Sequence, residues 1–204
     1  MNNNNSEEKT KNNNEGGEII KSGSSFESFD RDIYFYNEFN SNTNFKLNKD
    51  IKKIDKQINC FKINNEIDVE IPIRLHIQSY GGVVLSCFGS IDYIRSSTNP
   101  VHTYVDGYAA SCGALMSIVG HKRFISENGW MLIHQISGGS WGTFENMKDN
   151  MKNFESLMKS LKDIFDKYCK IPKKELDDIL QRDIWWDAET CLKYGLVDEI
   201  VASK

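Results

Sequence analysis

The sequence predicts an α/β fold built on a largely parallel sheet. Strand-like and helix-like segments alternate along the chain, and several of the passages between them open on glycine or serine. Residues 143–170 add one long stretch with apolar side chains at steps of three and four. At 204 residues the chain is long enough to bury one core, so one domain is expected.

Residues 1–25 are rich in Asn, Glu, Lys, Ser and Gly, with Ile19 and Ile20 almost alone as apolar side chains. Such a composition cannot bury enough surface to offset its ordering entropy, so a disordered tail is expected ahead of a domain over 26–204. Residues 32–36, dense in aromatic and β-branched side chains, read as a strand. Leu47, Ile51, Ile54 and Ile58 recur at helical spacing among charged residues, the pattern of an amphipathic helix. Residues 60–63 read as a short extra strand and Asn64 with Asn65 as a turn. Residues 70–77 form the next strand, with Pro72 near its start, where a missing N–H is tolerated.

Gly81 and Gly82 lead from that strand into a helix that runs to about Ile94. Residues 101–105 are a third strand, and residues 122–126 and 130–134 are two more. The stretch 143–170 predicts one long amphipathic helix, with Thr143 as its cap. Its Met- and Phe-rich stripe fits equally a helix lying on its own sheet and one that projects towards a partner. Residues 171–180 form a short helix opened by Pro172; a loop, a helix ended by Gly195 and a terminal apolar strand close the chain.

The totals exclude several functions. A net charge of −4 without a basic block argues against nucleic acid as a partner. No apolar run approaches the roughly 20 residues of a membrane span, and the N-terminus lacks the layout of a secretory signal. The five cysteines are scattered without paired spacing, which points to reduced thiols and no metal site. A cytoplasmic protein without a cofactor is expected, and an organellar location is compatible with the same features.

Ser111 stands where a strand passes into a helix, beside unpaired N–H groups and the positive helix end. An acyl-transfer nucleophile suits such a place, and so does an ordinary helix N-cap. A serine nucleophile needs a base, an acid that orients the base, and donors for the oxyanion. Four histidines are candidates for the base: His76 within a strand, His102 at a strand start, His121 after a glycine, and His134 at the end of a strand. Active-site residues of parallel sheets gather at such C-terminal ends, which favours His134. Position alone does not choose among the carboxylates, although Asp183 sits in a polar loop before two tryptophans. The paired Gly81 and Gly82 can bring backbone N–H groups close to a ligand, or simply form a tight turn.

Five blocks carry a resemblance. Gln78-Ser-Tyr-Gly-Gly, Gly107-Tyr-Ala-Ala-Ser-Cys-Gly-Ala, Met131-Leu-Ile-His-Gln-Ile-Ser-Gly-Gly, Gln181-Arg-Asp, and Glu189 with Tyr194-Gly-Leu-Val-Asp together resemble the Clp protease proteolytic subunit (ClpP) family, over about residues 30–201. The resemblance implies the ClpP/crotonase-like fold of repeated strand-strand-helix units, with the long helix projecting as a handle. It implies a serine endopeptidase in which Ser111 is the nucleophile, His134 the general base and Asp183 the residue that orients it. Gly82 and Cys112 match the positions whose backbone N–H groups form the oxyanion hole; on that reading only the N–H of Cys112 matters and its side chain is free to vary. The family further implies heptameric rings stacked as a tetradecamer, unfolded polypeptide substrates, and a Clp-type ATPase as partner.

Departures from the family pattern are local. Tyr80 replaces the usual proline before the glycine pair, Ile136 and Ser137 replace the usual Pro-Leu, and residues 59–68 look inserted. An α/β-hydrolase is disfavoured because Ala109 stands where the first glycine of its nucleophile elbow belongs. Two further classes compete: a crotonase-like acyl-CoA enzyme, which would not need this triad, and a ring subunit without catalytic activity.

Overall fold

The computed structural model describes residues 30–202; the tail expected over residues 1–25 lies outside them. Seven strands and six helices follow in the order β1 (Asp32–Phe35), α1 (Ser41–Asn64), β2 (Ile73–Ser79), α2 (Val84–Ser96), β3 (Val101–Ala110), α3 (Cys112–Ile118), β4 (Lys122–Ser126), β5 (Trp130–Leu132), α4 (Phe144–Tyr168), α5 (Lys173–Leu180), β6 (Trp185–Asp187), α6 (Ala188–Lys193) and β7 (Glu199–Val201). Strands β1-β2-β3-β4-β7 lie side by side and all run parallel. The expected α/β class with a mostly parallel sheet is what forms.

Alternation in β2 sets the layers. Ile73, Leu75 and Ile77 are fully buried on one face of the sheet, where they join a core that includes Leu47, Ile51 and Ile58 of α1, Cys87 and Ile94 of α2, and Leu115 and Ile118 of α3. The alternate residues face the other way. Tyr34, His76, Tyr104 and Phe124 stand in one register across β1 to β4, with successive ring centroids 4.8, 4.9 and 4.5 Å apart.

β3 is the strand that positions the site. Its first half, up to Val105, pairs with β4, and its second half, from Tyr108, pairs with β5. The handover brings the end of β5 level with the end of β3, so that the Ser111 N–H donates to the Leu132 carbonyl at 2.8 Å. β6 then pairs antiparallel with β5, placing Trp185 opposite Leu132.

Two expectations fail locally. Residues 60–63 are the last turn of α1, not a strand: the helix starts at a capping box between Asn40 and Thr43, buries Leu47, Ile51, Ile54 and Ile58 in an unbroken stripe, and ends where the Asn65 N–H bonds to the Phe61 carbonyl. Residues 185–187 form strand β6 in place of the expected loop.

Helix α4 begins with Thr143 accepting from the Asn146 N–H, as its sequence predicts. Of its 25 residues only Leu161 and Phe165 are buried. Phe144, Met147 and Met151 are exposed, and Trp141 just ahead is 99% exposed. The C-terminal half therefore lies on the domain while the first half keeps its apolar stripe in the open. Its far end is clamped by Arg123, whose Nη1 donates to the Tyr168 carbonyl at 2.6 Å and the Gly195 carbonyl at 2.8 Å, while Nε and Nη2 bind Asp198.

Candidate active site

At the C-terminal ends of β3 and β5 a cavity of about 540 Å³ opens between the glycine turn and α4. Ser111, His134, Gly82 and Cys112 line it, together with the apolar side chains of Leu115, Ile133, Ile136, Phe154, Leu161 and Phe165.

Ser111 carries φ 54° and ψ −121°, a left-handed backbone that a residue with a Cβ adopts only under strain. It occupies the cap position of α3, yet its side chain makes no capping hydrogen bond. The ordinary reading of a serine there, satisfying its own helix start, is not what the hydroxyl does. The elbow instead sets Ser111 at the cavity, at the junction of strand and helix, with its hydroxyl against the Cys112 sulfur.

The glycine turn wraps this elbow. Gly81 (φ 107°) and Gly82 (φ 137°) both take backbone conformations open to glycine. A Cβ on Gly81 would stand 2.7 Å from Ser111 Cβ and 3.0 Å from the Cys112 nitrogen. The turn is held from its other side by Phe39, whose N–H donates to the Gly81 carbonyl at 2.7 Å and whose carbonyl accepts from Val83 N–H at 2.8 Å. In a parallel pairing of this kind the intervening Gly82 N–H points to the opposite edge. Among the described residues neither that N–H nor the Cys112 N–H, at the first position of α3, donates to a backbone carbonyl; both lie against the Cys112 sulfur, a weak acceptor. Two N–H donors without a carbonyl partner thus flank Ser111.

The Cys112 side chain makes contacts of its own. Its thiol is buried and donates to the Gly82 carbonyl at 3.3 Å, tying the two donor-bearing residues together. Behind it the Cys87 thiol donates to the Cys112 carbonyl at 3.4 Å, and burial pushes the Cys87 thiol well up, so it stays a neutral donor.

His134 stands two residues beyond β5, with a side chain 21% exposed. Its Nδ1 lies 3.5 Å from Oδ1 of Asp183, which does not line the cavity and is 80% exposed. That is longer than a good hydrogen bond, and no hydrogen bond joins Ser111 Oγ to His134 among the described residues. Contacts of this kind commonly tighten only around a bound substrate. The other three histidines are elsewhere. His76 Nδ1 meets Asp106 at 2.8 Å on the far face of the sheet, His102 packs near Phe124, and His121 Nδ1 accepts from the Val101 N–H at 3.0 Å.

A family model described as Clp protease matches residues 30–204. The chain belongs to the Clp protease family. Membership implies a peptidase of the hydrolase class that works on polypeptides as an oligomeric ring. In this member of the Clp protease family the residues singled out in the sequence, Ser111, His134, Gly82 and Cys112, share one cavity, and Asp183 meets the histidine from outside it. Two contributions escaped the sequence. Phe39 acts through backbone atoms and leaves no side-chain signature, and the wall formed by Phe154, Leu161 and Phe165 was legible only as helix periodicity. Among the described residues no helix is long and apolar enough to cross a membrane, and no cluster of His, Cys, Asp and Glu could hold a metal ion.

Proposed function

We propose that the chain is a serine endopeptidase that hydrolyses peptides and unfolded polypeptides through Ser111, His134 and Asp183. The observation that carries this reading is the strained Ser111 elbow, set between the Gly82 and Cys112 N–H groups, neither of which donates to a backbone carbonyl, in the cavity that also holds His134.

Ser111 Oγ attacks the carbonyl carbon of the scissile peptide while His134 Nε2 accepts its proton. The carbonyl oxygen becomes an oxyanion and receives the Gly82 and Cys112 N–H groups; one such donor is worth about 10²–10³ in kcat. His134 returns the proton to the leaving amine as the C–N bond breaks. Water, deprotonated by His134, then attacks the acyl-serine ester and releases Ser111 and the carboxylate product. Asp183 holds the histidine by Nδ1 and stabilises the imidazolium. The Nδ1 contact with Asp183 favours this chemistry over an acyl-CoA reaction that would have no use for it.

Assembly is part of the proposal. The apolar stripe of α4, exposed at Phe144, Met147 and Met151, supports a role as a handle between two heptameric rings, which would enclose the sites in a chamber. A Clp-type ATPase that feeds unfolded chains fits such a chamber.

Hydrolysis of a fluorogenic peptide with an apolar residue before the scissile bond tests the reading. Wild type should turn over, and Ser111→Ala and His134→Ala should each lose about 10³-fold or more. Activity that survives in Ser111→Ala would refute it.

A further inference from the structure

Asp183 is held by little of its own. Its side chain is 80% exposed, its ion pair among the described residues is with His134, and the neighbouring Arg182 and Ile184 are exposed as well. On the N-terminal side the loop is tied by backbone bonds from Gln181 to Asp177 and from Arg182 to Ile179. On the C-terminal side the first side chain that packs is Trp185.

We infer that Trp185, with Tyr80 and Tyr108, forms an aromatic positioning cluster that fixes Asp183 against His134. The inference rests on the triad proposed above. The Tyr80 and Tyr108 rings lie 4.4 Å apart at 34°, and Trp185 stands edge-on to both, each at 6.4 Å with interplanar angles of 86° and 79°. Each ring is rooted in a different working segment. Tyr80 directly precedes the Gly81 and Gly82 turn, Tyr108 lies three residues before Ser111 on β3, and Trp185 lies two residues after Asp183 on β6. Trp185 is also paired across the sheet with Leu132, two residues before His134. One small cluster thus joins the oxyanion turn, the nucleophile strand, and the strand pair that carries the base and its orienting carboxylate.

Tyr80 also stands where the family pattern has proline. Proline would fix φ of the turn by its ring. Tyrosine cannot, and packing on Tyr108 and Trp185 supplies the restraint from outside the backbone. Placement matters this much because a shift of about 1 Å in a catalytic group can cost on the order of 10²-fold in rate.

A double-mutant cycle in steady-state hydrolysis, on the full assembled chain, tests the cluster. Trp185→Leu should lower kcat about tenfold with KM within about twofold, and Trp185→Phe should recover most of the loss. In an Asp183→Ala background Trp185→Leu should add less than about twofold, because the residue it positions is gone. If Trp185→Leu fails to assemble, Tyr80→Ala, at a side chain 64% exposed, carries the same cycle with Tyr80→Phe as its conservative partner. Equal losses in both backgrounds, or a rise in KM alone, would overturn the cluster while leaving the serine-peptidase reading standing. A wild type that neither hydrolyses peptide nor reacts with a fluorophosphonate would overturn both.

Discussion

Gly81 and Ser111 are in direct apposition: a Cβ on the glycine would stand 2.7 Å from the serine Cβ. Neither can move without the other, because Gly81 is bonded to Phe39 behind it and Ser111 is bonded to Leu132 through its N–H. The strained serine is therefore enforced from two sides, as strain of this kind requires. Gly81→Ala would add a methyl into this contact at φ 107°. It should destabilise the fold by about 1–3 kcal/mol and lower kcat by about 10²-fold, read by thermal unfolding and peptide hydrolysis. An active, unshifted variant would mean the apposition has no consequence.

Cys112 offers a separate test of the oxyanion turn. Replacement by valine keeps the bulk but removes the thiol that donates to the Gly82 carbonyl. Loss of one such bond should cost about 0.5–1.5 kcal/mol and slow acylation severalfold, whereas Cys112→Ser keeps a donor and should react nearly as wild type. Burst kinetics with an activated ester would separate the two; equal rates in both variants would show that the thiol only fills space.

The exposed half of α4 predicts assembly through specific side chains. Phe154 and Met158 belong to the subunit's own site, since Phe154 lies over Gly138 and the Met158 sulfur accepts the Ile136 N–H at 3.2 Å. Met147 and Met151 are exposed. Changing both to Asp should halve the particle mass in light scattering while the circular dichroism of the subunit is kept. An unchanged mass would reject α4 as the inter-ring element.

The clamp around Arg123 predicts an acid-sensitive stability. Hydrogen bonding from Arg123 holds the Asp198 carboxyl below its ordinary value. The unfolded carboxyl titrates near about 3.9, so the contribution of this contact is fully present above that value and is lost as pH falls through the lower folded one. Asp198→Asn should therefore unfold at lower urea than wild type at pH 6, and the gap should narrow towards pH 3. A gap of constant size would show that charge is not what the contact contributes.

Much of the fold was legible because its signals are local. The alternation of residues 73–77 and the stripe of Leu47, Ile51, Ile54 and Ile58 each follow from side chains that the core needs at fixed periods. The end of α1 was not legible: residues 60–63 read as a strand and Asn64 with Asn65 as a turn, yet the helix, once paid for by its buried stripe, carries weak helix formers through its last turn. Strand β6 was hidden for another reason. Three residues hold no period, and what makes 185–187 a strand is the open edge of β5 beside it. At the site, the types Ser, His and Gly were readable from sequence and from family likeness. The sign of φ at Ser111 and the Cys112 thiol bond depend on the neighbouring turn, which only the fold brings there.

The central claim is that Ser111 is an activated nucleophile. Incubation of the assembled protein with a fluorophosphonate probe at neutral pH, followed by peptide mass mapping, tests it most directly. Labelling on Ser111 alone, absent in Ser111→Ala and strongly slowed in His134→Ala, is the predicted result. No labelling of the assembled wild type, or labelling that persists in Ser111→Ala, would contradict it.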